Sequence, residues 1–250
     1  MDIAVCVKRV PQVGGRVVVT ADGQDVDTRM SGFAVSPHEE CAVEEAVRLT
    51  EAEGGTVTVI TLGPPEAAEQ LRDMLALGAH KALLLVTDGR EWGPIATAAA
   101  ITEAARERPF DLMLFGNEAA DTGGYQVGIR VARALARPCA TGIKELTRTP
   151  GGLRASREYR GARESYDLPL PAVLGVKEGI NLPRYPSLPG RLRAKRAPVE
   201  TITPQWQPEG LRKERLRVPA DTRTRAEILG TGPDAVPALV ALLADLGILG

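Results

Sequence analysis

The chain has 250 residues, with 31 Lys plus Arg, 32 Asp plus Glu and a formal net charge of −1. A chain of this length can bury a sizeable core in one large domain or two small ones. The balanced charge gives no field that would favour nucleic acid, and no apolar run approaches the roughly 18 residues of a membrane span. We therefore expect a globular protein with no nucleic-acid partner and no direct membrane insertion.

The first 140 residues alternate short apolar runs with helical patterns. A hairpin is expected at 16–27, around the turn pair Asp22-Gly23. The predicted strands are 3–7, 57–62, 82–86 and 111–115, and the predicted helices are 37–53, 66–77, 94–108 and 125–136. This β-α-β-α order predicts a doubly wound α/β fold, with a mostly parallel sheet covered on both faces.

The pattern changes after this region. Two strands at 143–148 and 153–159 are expected to form a hairpin, and 172–176 is expected to be another core strand. Beyond residue 200 the alternation ceases, and a polar arm leads to an apolar helix at 234–246. We expect this arm to wrap a partner subunit; the alternative is that it packs back on its own domain.

Three cysteines, Cys6, Cys41 and Cys139, are far apart and fit no CxxC or zinc-ligand spacing. Unpaired structural thiols favour a reducing compartment. The N-terminal residues predict a short strand followed by basic residues, which is typical of neither a signal peptide nor a transit peptide. These features favour a cytoplasmic protein.

Loops that follow two predicted strands carry candidate anion-binding groups. Lys8 and Arg9 follow the first strand, and ligands of parallel sheets bind beyond the carboxyl ends of strands. Residues 116–128 form a glycine-rich turn into a helix, whose amides would point at an anion. The alternatives are two solvated charges and a glycine-rich turn without a ligand, since the turn matches neither Walker A nor GxGxxG.

Residues 36–39 predict a well-formed helix start. Ser36 can act as the N-cap, Pro37 occupies the first position and Glu39 completes a capping box. His38 is expected to be a helix-entry residue and not a catalyst, since no triad is visible. The free amides of a helix start also attract phosphate, so the same residues are candidates for nucleotide binding.

A proline-rich segment follows the last predicted core strand. Three prolines recur at intervals of three residues between 183 and 189. Proline fixes φ, so 181–200 favours an extended, polyproline-like loop. Tyr185 and Leu188 would be presented on it, with basic residues directly behind at 191–196. An apolar tip beside a basic base is typical of a docking surface; the alternative is an ordinary surface loop.

Several of these motifs together resemble the β subunit of electron transfer flavoproteins. The resemblance extends over the whole chain and is strongest at residues 5–11, 36–49, 116–128 and 171–196. The matching strings are VKRVP at 7–11, AVEEA at 42–46, DTGGYQVG at 121–128 and NLPRYPSLPGRLRAKR at 181–196.

The resemblance implies a structural AMP in this chain and an FAD held mainly by an α subunit. The implied cofactor-binding residues are Cys6, Ser36, Pro37, His38, Glu39, Leu62, Ala119, Asp121, Thr122, Gly123, Gly124, Gln126, Val127 and Gly128. The family has asparagine where this chain has Ser36, so a contact by that amide is not carried over. Some members have an aromatic residue beside the flavin where this chain has Val13, and direct flavin contact is not carried over either.

The resemblance also implies partner contacts. Tyr185, Pro186, Leu188 and Pro189 would form the recognition loop, with Leu188 as the anchor in partner dehydrogenases. Glu164 would lie at the interface with the mobile flavin domain. The expected organisation is a nucleotide-binding α/β domain at 1–180, a recognition loop at 181–200 and an arm at 201–250 that packs on the α subunit.

The implied complex takes electrons from acyl-CoA and related dehydrogenases in fatty acid oxidation and passes them to a quinone oxidoreductase. The chain would then be an electron-carrier component and not an enzyme. One alternative is a bifurcating flavoprotein that oxidises NADH with a second FAD in place of AMP. Another is a free-standing nucleotide sensor of the universal-stress type, against which residues 181–250 argue.

Overall fold

A computed structural model of the chain describes residues 1–12, 17–210, 212–219 and 226–249, so Val13 lies outside the described residues. The strands are β1 (Asp2–Cys6), β2 (Val10–Gln12), β3 (Gly32–Ala34), β4 (Thr56–Gly63), β5 (Lys81–Val86), β6 (Leu112–Gly116), β7 (Cys139–Ile143), β8 (Glu145–Thr149), β9 (Gly152–Tyr159), β10 (Ala162–Leu168), β11 (Ala172–Val176) and β12 (Glu200–Ile202). The helices are α1 (Pro37–Glu53), α2 (Ala68–Leu77), α3 (Pro94–Arg106), α4 (Val127–Ala134), α5 (Leu188–Arg196) and α6 (Val236–Asp245).

The centre of the fold is a seven-stranded sheet in the order β12-β5-β4-β1-β6-β11-β7. Every neighbouring pair in it is parallel. The predicted doubly wound α/β fold is therefore confirmed. From β1 the chain proceeds to β4 and β5 on one side and then to β6 on the other. Such a reversal opens a crevice at the carboxyl ends of β1 and β6, where ligands of α/β proteins bind.

Side chains of the central strands alternate between two cores. Ile3 and Val5 pack with residues of α1 and α2 on one face of the sheet. Ala4 and Cys6 pack with α3 and α4 on the other. Both faces of a parallel sheet are normally covered, which explains why these strands are continuous apolar runs.

The capping signals in the sequence predicted the positions of the first helices well. The capping box of Ser36 and Glu39 is formed at the start of α1, and that helix spans the predicted 37–53. The next predicted helix is divided into a 3-10 turn at Pro65–Ala67 and α2, which ends before Gly78 with φ of 122°. The expected hairpin near Asp22 is reduced to a turn with one bridge, between Val19 and Val26.

The extended-loop prediction for 181–200 was wrong for α5. Ser187 caps this helix, since its hydroxyl accepts a hydrogen bond from the Gly190 N–H at 3.1 Å, and Pro189 fits in the first turn. Arg193, Lys195 and Arg196 lie in its last turn, where positive charges stabilise the carboxyl end of a helix. Within 181–200, residues 181–187 and 197–199 lack helix and strand, and Leu188 is the first residue of a helix.

Five strands were not predicted: β2, β3, β7, β10 and β12. β10 pairs with β9 in a small antiparallel sheet, so Glu164 lies within a strand and not before one. Its side chains alternate between exposed and half-buried and are mostly polar, which leaves little apolar signal. β7 and β12 are edge strands that pair with distant segments, and such pairing has no local signature.

The C-terminal arm first follows its own domain. The Glu209 carboxylate accepts hydrogen bonds from the Ala96 N–H at 2.7 Å and the Ile95 N–H at 3.3 Å, at the start of α3. The Leu216 N–H donates to the Gly23 carbonyl at 2.7 Å. By contrast, no residue of α6 is buried, and its apolar side chains are exposed except for the half-buried Leu243. No helix in the described ranges is long and apolar enough to cross a bilayer.

The turn between β8 and β9 offers a matched pair of glycines. Gly152 has φ of 150°, and a Cβ built there would lie 2.0 Å from the Leu168 carbonyl oxygen; Gly151 has open space. Gly152→Ala should therefore lower the free energy of unfolding by about 2 kcal/mol or more. Gly151→Ala should change it by less than about 0.5 kcal/mol. Urea unfolding measures both, and equal stabilities would contradict the close approach.

Candidate functional site

The crevice is floored by the carboxyl ends of the central strands. Cys6 ends β1 and stands in register with Ile60 and Phe115 of its two neighbours. Cys6 and Leu62 pack on the same core, on the α3 face of the sheet. Cys6 is buried and Leu62 is half-buried, so together they give this edge an apolar floor.

The start of α1 is pressed against the end of β6. A Cβ built at Gly116 would lie 2.5 Å from Cγ of Glu39 and 3.3 Å from Cβ of His38. Only glycine therefore fits at the end of β6. The contact places residues 36–39 next to the loop that follows β6.

His38 ties three segments together. The Glu178 N–H, just beyond β11, donates to Nδ1 of His38 at 2.7 Å. A neutral ring whose Nδ1 accepts must carry its proton on Nε2, which is 3.2 Å from Oε1 of Glu118. The side chain is 12% exposed. These contacts agree with the predicted role at the helix entry, and they are partners that sequence reasoning missed.

The two cations after β1 are separated. Lys8 forms an ion pair with Asp121 at 2.7 Å, which joins the loop after β1 to the glycine-rich loop. Arg9 stacks on the ring of Phe33 in β3, 3.1 Å from its centroid. The sequence left open whether these cations meet an anion or solvent; in the structure Arg9 contacts an aromatic ring and Lys8 a carboxylate of the chain itself.

The glycine-rich loop forms an exposed rim above the crevice. Its backbone turns through positive φ at Gly123 (53°) and Tyr125 (54°), and the Gly123 N–H donates to the Ala119 carbonyl at 2.9 Å. A Cβ at Gly124 would meet nothing within 4 Å. Packing within the chain therefore gives no reason for glycine at 124, whereas a closely approaching ligand would. Thr122 lies on the same exposed rim.

The end of the loop fixes α4. Gln126 precedes this helix, and its Oε1 accepts hydrogen bonds from Arg130 Nη2 at 2.9 Å and Nε at 3.2 Å. Gly128 packs against Phe115, since a Cβ there would lie 3.1 Å from the ring. Val127 begins α4 and packs against the core beside it. These contacts anchor one end of the rim to the sheet.

Glu39 is a buried carboxyl at the base of the crevice. It is 6% exposed, and its Oε2 accepts a hydrogen bond from the Ser36 N–H at 3.1 Å. Burial raises the pKa of Glu39 to about 7. Burial, and next the charge of Glu39, raise the pKa of the Cys6 thiol, which stays protonated. Within the described residues, no group of three or more His, Cys, Asp or Glu side chains is placed to hold a metal ion.

Glu164 belongs to a separate cluster on the small sheet. Arg157 donates to its Oε2 at 2.7 Å, and the Tyr166 hydroxyl donates to the same atom. These hydrogen bonds, from Tyr166 first and then Arg157, lower the pKa of Glu164. Its partners hold the carboxylate ionised on a half-buried surface.

Residues 182–192, named here the docking segment, present large apolar side chains to solvent. Tyr185 is 87% exposed, Leu188 71% and Leu192 58%. Leu188 and Leu192 are one helical turn apart and share a face of α5. The guanidinium of Arg191 lies 5.2 Å from the centroid of the Tyr185 ring. Pro186 is half-buried and Pro189 is exposed. The predicted exposed apolar side chains beside basic residues are therefore present, with Tyr185 just before α5 and Leu188 at its start.

Protonation of Glu39 should control stability. Because its folded pKa of about 7 is above the ordinary 4.5, the protonated fold is favoured. This stability is fully present below pH 4.5 and is lost as pH rises towards 7, by roughly 3 kcal/mol. Glu39→Gln, which mimics the protonated form, should flatten that decline. The measurement is urea unfolding from pH 5 to pH 8; an unchanged pH slope in the variant would exclude Glu39 as its source.

Comparisons with known proteins agree with this arrangement. A family model described as the electron transfer flavoprotein domain matches residues 26–205. The electron transfer flavoprotein subunit beta of Bacillus subtilis is 35% identical over 205 residues, 81% of this chain and 79% of that protein. The mitochondrial subunit beta of Oryza sativa subsp. indica is 34% identical over 209 residues, 82% and 83% of the two chains. The human subunit beta is 32% identical over 206 residues, 81% of each chain. The chain therefore belongs to the electron transfer flavoprotein family, and within it to the β subunits.

Proposed function

We propose that this chain binds a structural AMP at the crevice, pairs with an α subunit that holds most of the FAD, and docks dehydrogenases through the docking segment. The observation that carries the nucleotide assignment is Gly124. A Cβ at this position would meet no atom of the chain within 4 Å, so packing does not require glycine there, whereas the close approach of a ligand would. Gly124 lies in the loop that follows β6, where the strand order reverses, and Glu118 of this loop contacts His38 at the start of α1. Such points are where α/β sheets bind nucleotides.

The residues around the crevice fit an adenine nucleotide. Backbone amides of Thr122 to Gln126 would hold the phosphate, as exposed amides at a glycine-rich turn do. The apolar floor of Cys6 and Leu62 would lie beside the adenosine. Asp121 would not repel the phosphate strongly, because Lys8 neutralises it at 2.7 Å. Ser36, Pro37 and His38 would close the other side.

Electron transfer itself belongs to the flavin, which accepts and releases electrons when bound. This chain's residues would position the partners. The proposed role of Glu164 is to meet the mobile flavin domain, and its ionised carboxylate suits a cationic group there. An electron carrier with no substrate of its own needs no catalytic residue in this chain.

The exposed face of α6 supports the heterodimer. No residue of this helix is buried, although it is strongly apolar. The exposed side chains include Val236, Leu239, Val240, Leu242 and Leu246. An apolar face of this kind favours a protein interface. We assign it to the α subunit. The donors would be acyl-CoA and related dehydrogenases, and the acceptor a quinone oxidoreductase.

The nucleotide content of the native complex tests the proposed function. The chain is co-purified with its α subunit and denatured, and the released nucleotides are quantified by chromatography. We expect one FAD and one AMP per heterodimer. Two FAD and no AMP would contradict AMP binding and support the bifurcating type, in which the same loop holds a diphosphate. Absence of flavin, or of a stable heterodimer, would contradict the proposed function as a whole.

Docking depends on Leu188 in this proposal. A single apolar anchor in a desolvated pocket contributes about 2 kcal/mol or more, roughly thirtyfold in affinity. Leu188→Ala should therefore raise KM for the flavoprotein in the assay with a reduced cognate dehydrogenase, at unchanged FAD content. Met30→Ala is the control, because Met30 is 99% exposed and lies outside the docking segment. Unchanged kinetics for Leu188→Ala would exclude Leu188 as the anchor.

A further inference from the structure

We propose that Arg184, clamped by the buried carboxylate of Glu44, is a positioning residue that fixes the docking segment on α1 and so sets the affinity for the partner dehydrogenase. This inference rests on the proposed docking function. Glu44, Arg48, Glu51 and Arg184 are named here the clamp.

The first part of the docking segment is held mainly by side chains of α1. In the described part of the chain, the backbone of residues 182–186 makes no hydrogen bond to another backbone group. Side chains of α1 supply the contacts instead. The Arg184 N–H donates to Oε2 of Glu44 at 3.1 Å, and Nη2 of Arg48 donates to the Leu182 carbonyl at 3.2 Å. Just before the segment, Nδ2 of Asn181 donates to the Cys41 carbonyl at 3.0 Å.

Glu44 is the buried centre of the clamp. Its side chain is 2% exposed. Besides the Arg184 backbone, Nε of Arg184 donates to it at 2.9 Å and Nε of Arg48 at 2.6 Å. Burial favours a raised pKa for Glu44, but the hydrogen bonds from Arg184 and Arg48 outweigh burial, and the pKa is lowered. The carboxylate is therefore charged, and removing either arginine would leave it buried and poorly paired.

Arg184 spans two carboxylates that lie seven residues, or about two turns, apart on α1. Besides Glu44, its Nη1 and Nη2 contact Oε1 and Oε2 of Glu51 at 2.6 Å and 2.9 Å. Glu51 is 58% exposed, so its contribution is the smaller one. A planar guanidinium can satisfy both carboxylates at once, whereas a lysine ammonium is a single point charge. This geometry predicts that lysine does not replace Arg184.

The clamp acts on the apolar tip because the two are adjacent. Tyr185 follows Arg184 directly, and Leu188 begins α5 three residues further on. The helix has its own footing on α2, since a Cβ at Gly190 would lie 3.2 Å from the Ala76 carbonyl oxygen and Ala194 is buried. The stretch between the two anchors is thus held at both ends. A segment ordered before binding loses less entropy on docking, which improves affinity without a new contact.

The test uses the heterodimer with its FAD and a reduced cognate acyl-CoA dehydrogenase. Arg184→Gln should raise KM for the flavoprotein by roughly tenfold and change kcat by less than about twofold. Arg184→Lys, which keeps the charge and should fold, should raise KM by a similar factor. FAD content and direct reduction by dithionite should not change. Arg148→Gln is the matched control, since Arg148 pairs with Glu53 of the same helix at 3.2 Å and lies outside the docking segment.

A double-mutant cycle separates this inference from the proposed function. If Arg184 acts through Leu188, Arg184→Gln should raise KM much less in the Leu188→Ala background than in the wild type. Additive effects of the two substitutions would contradict the proposed role of Arg184 and leave the docking role of Leu188 intact. The same conclusion would follow if KM were unchanged in both Arg184 variants while Leu188→Ala still raised it. An unchanged KM in all variants would overturn docking itself. Hydrogen exchange of the wild type gives a second readout, because fast exchange of the Arg184 amide would also contradict the clamp.

Discussion

Burial of two carboxylates on one helix is the constraint on which both functional regions depend. Glu39 and Glu44 are each removed from water by the packing of α1 against the sheet and its neighbours. A buried carboxyl group must be paired or neutral, and the two are accommodated differently. Glu39 has backbone donors and a raised pKa, whereas Glu44 is surrounded by two guanidinium groups and has a lowered one. Burial of Glu39 leaves no room for a side chain at Gly116, at the end of β6. Burial of Glu44 requires a cationic partner, which Arg184 of the docking segment provides.

The same helix would give the proposed nucleotide a structural task. Its first turn is held at the crevice by His38 and Glu39, and its later turns hold Arg184. A ligand bound at the crevice restrains the first turn further. Because a capped helix is stiff over this length, such a ligand also steadies the surface from which the docking segment is held. If the proposed AMP is bound there, it would have a physical purpose without being consumed, as a carrier subunit requires.

Local signals predicted much of the fold but not its edges. Apolar runs, Pro37 and Gly78 located the central strands and the first helices, because these depend on neighbours in sequence. β12 was missed since it exists only by pairing with β5, and β10 since its exposed face carries polar side chains. The proline spacing predicted an extended segment, but the hydroxyl of Ser187 and the footing of Gly190 on α2 favour a helix from Leu188.

The candidate site likewise has features that local sequence signals predicted and contacts between distant residues that they did not. The strand-glycine-helix pattern located the rim, and the position of Cys6 at a strand end located the floor. The partners of His38 and Arg184 could not be found in this way, since Glu118 is 80 residues from the former and Glu44 is 140 residues from the latter. Nor does a sequence distinguish Glu44 from Glu51, which lie on one helix with side-chain exposures of 2% and 58%. Only the packing of α1 decides which carboxylate is buried, and the buried one is what makes Arg184 difficult to displace.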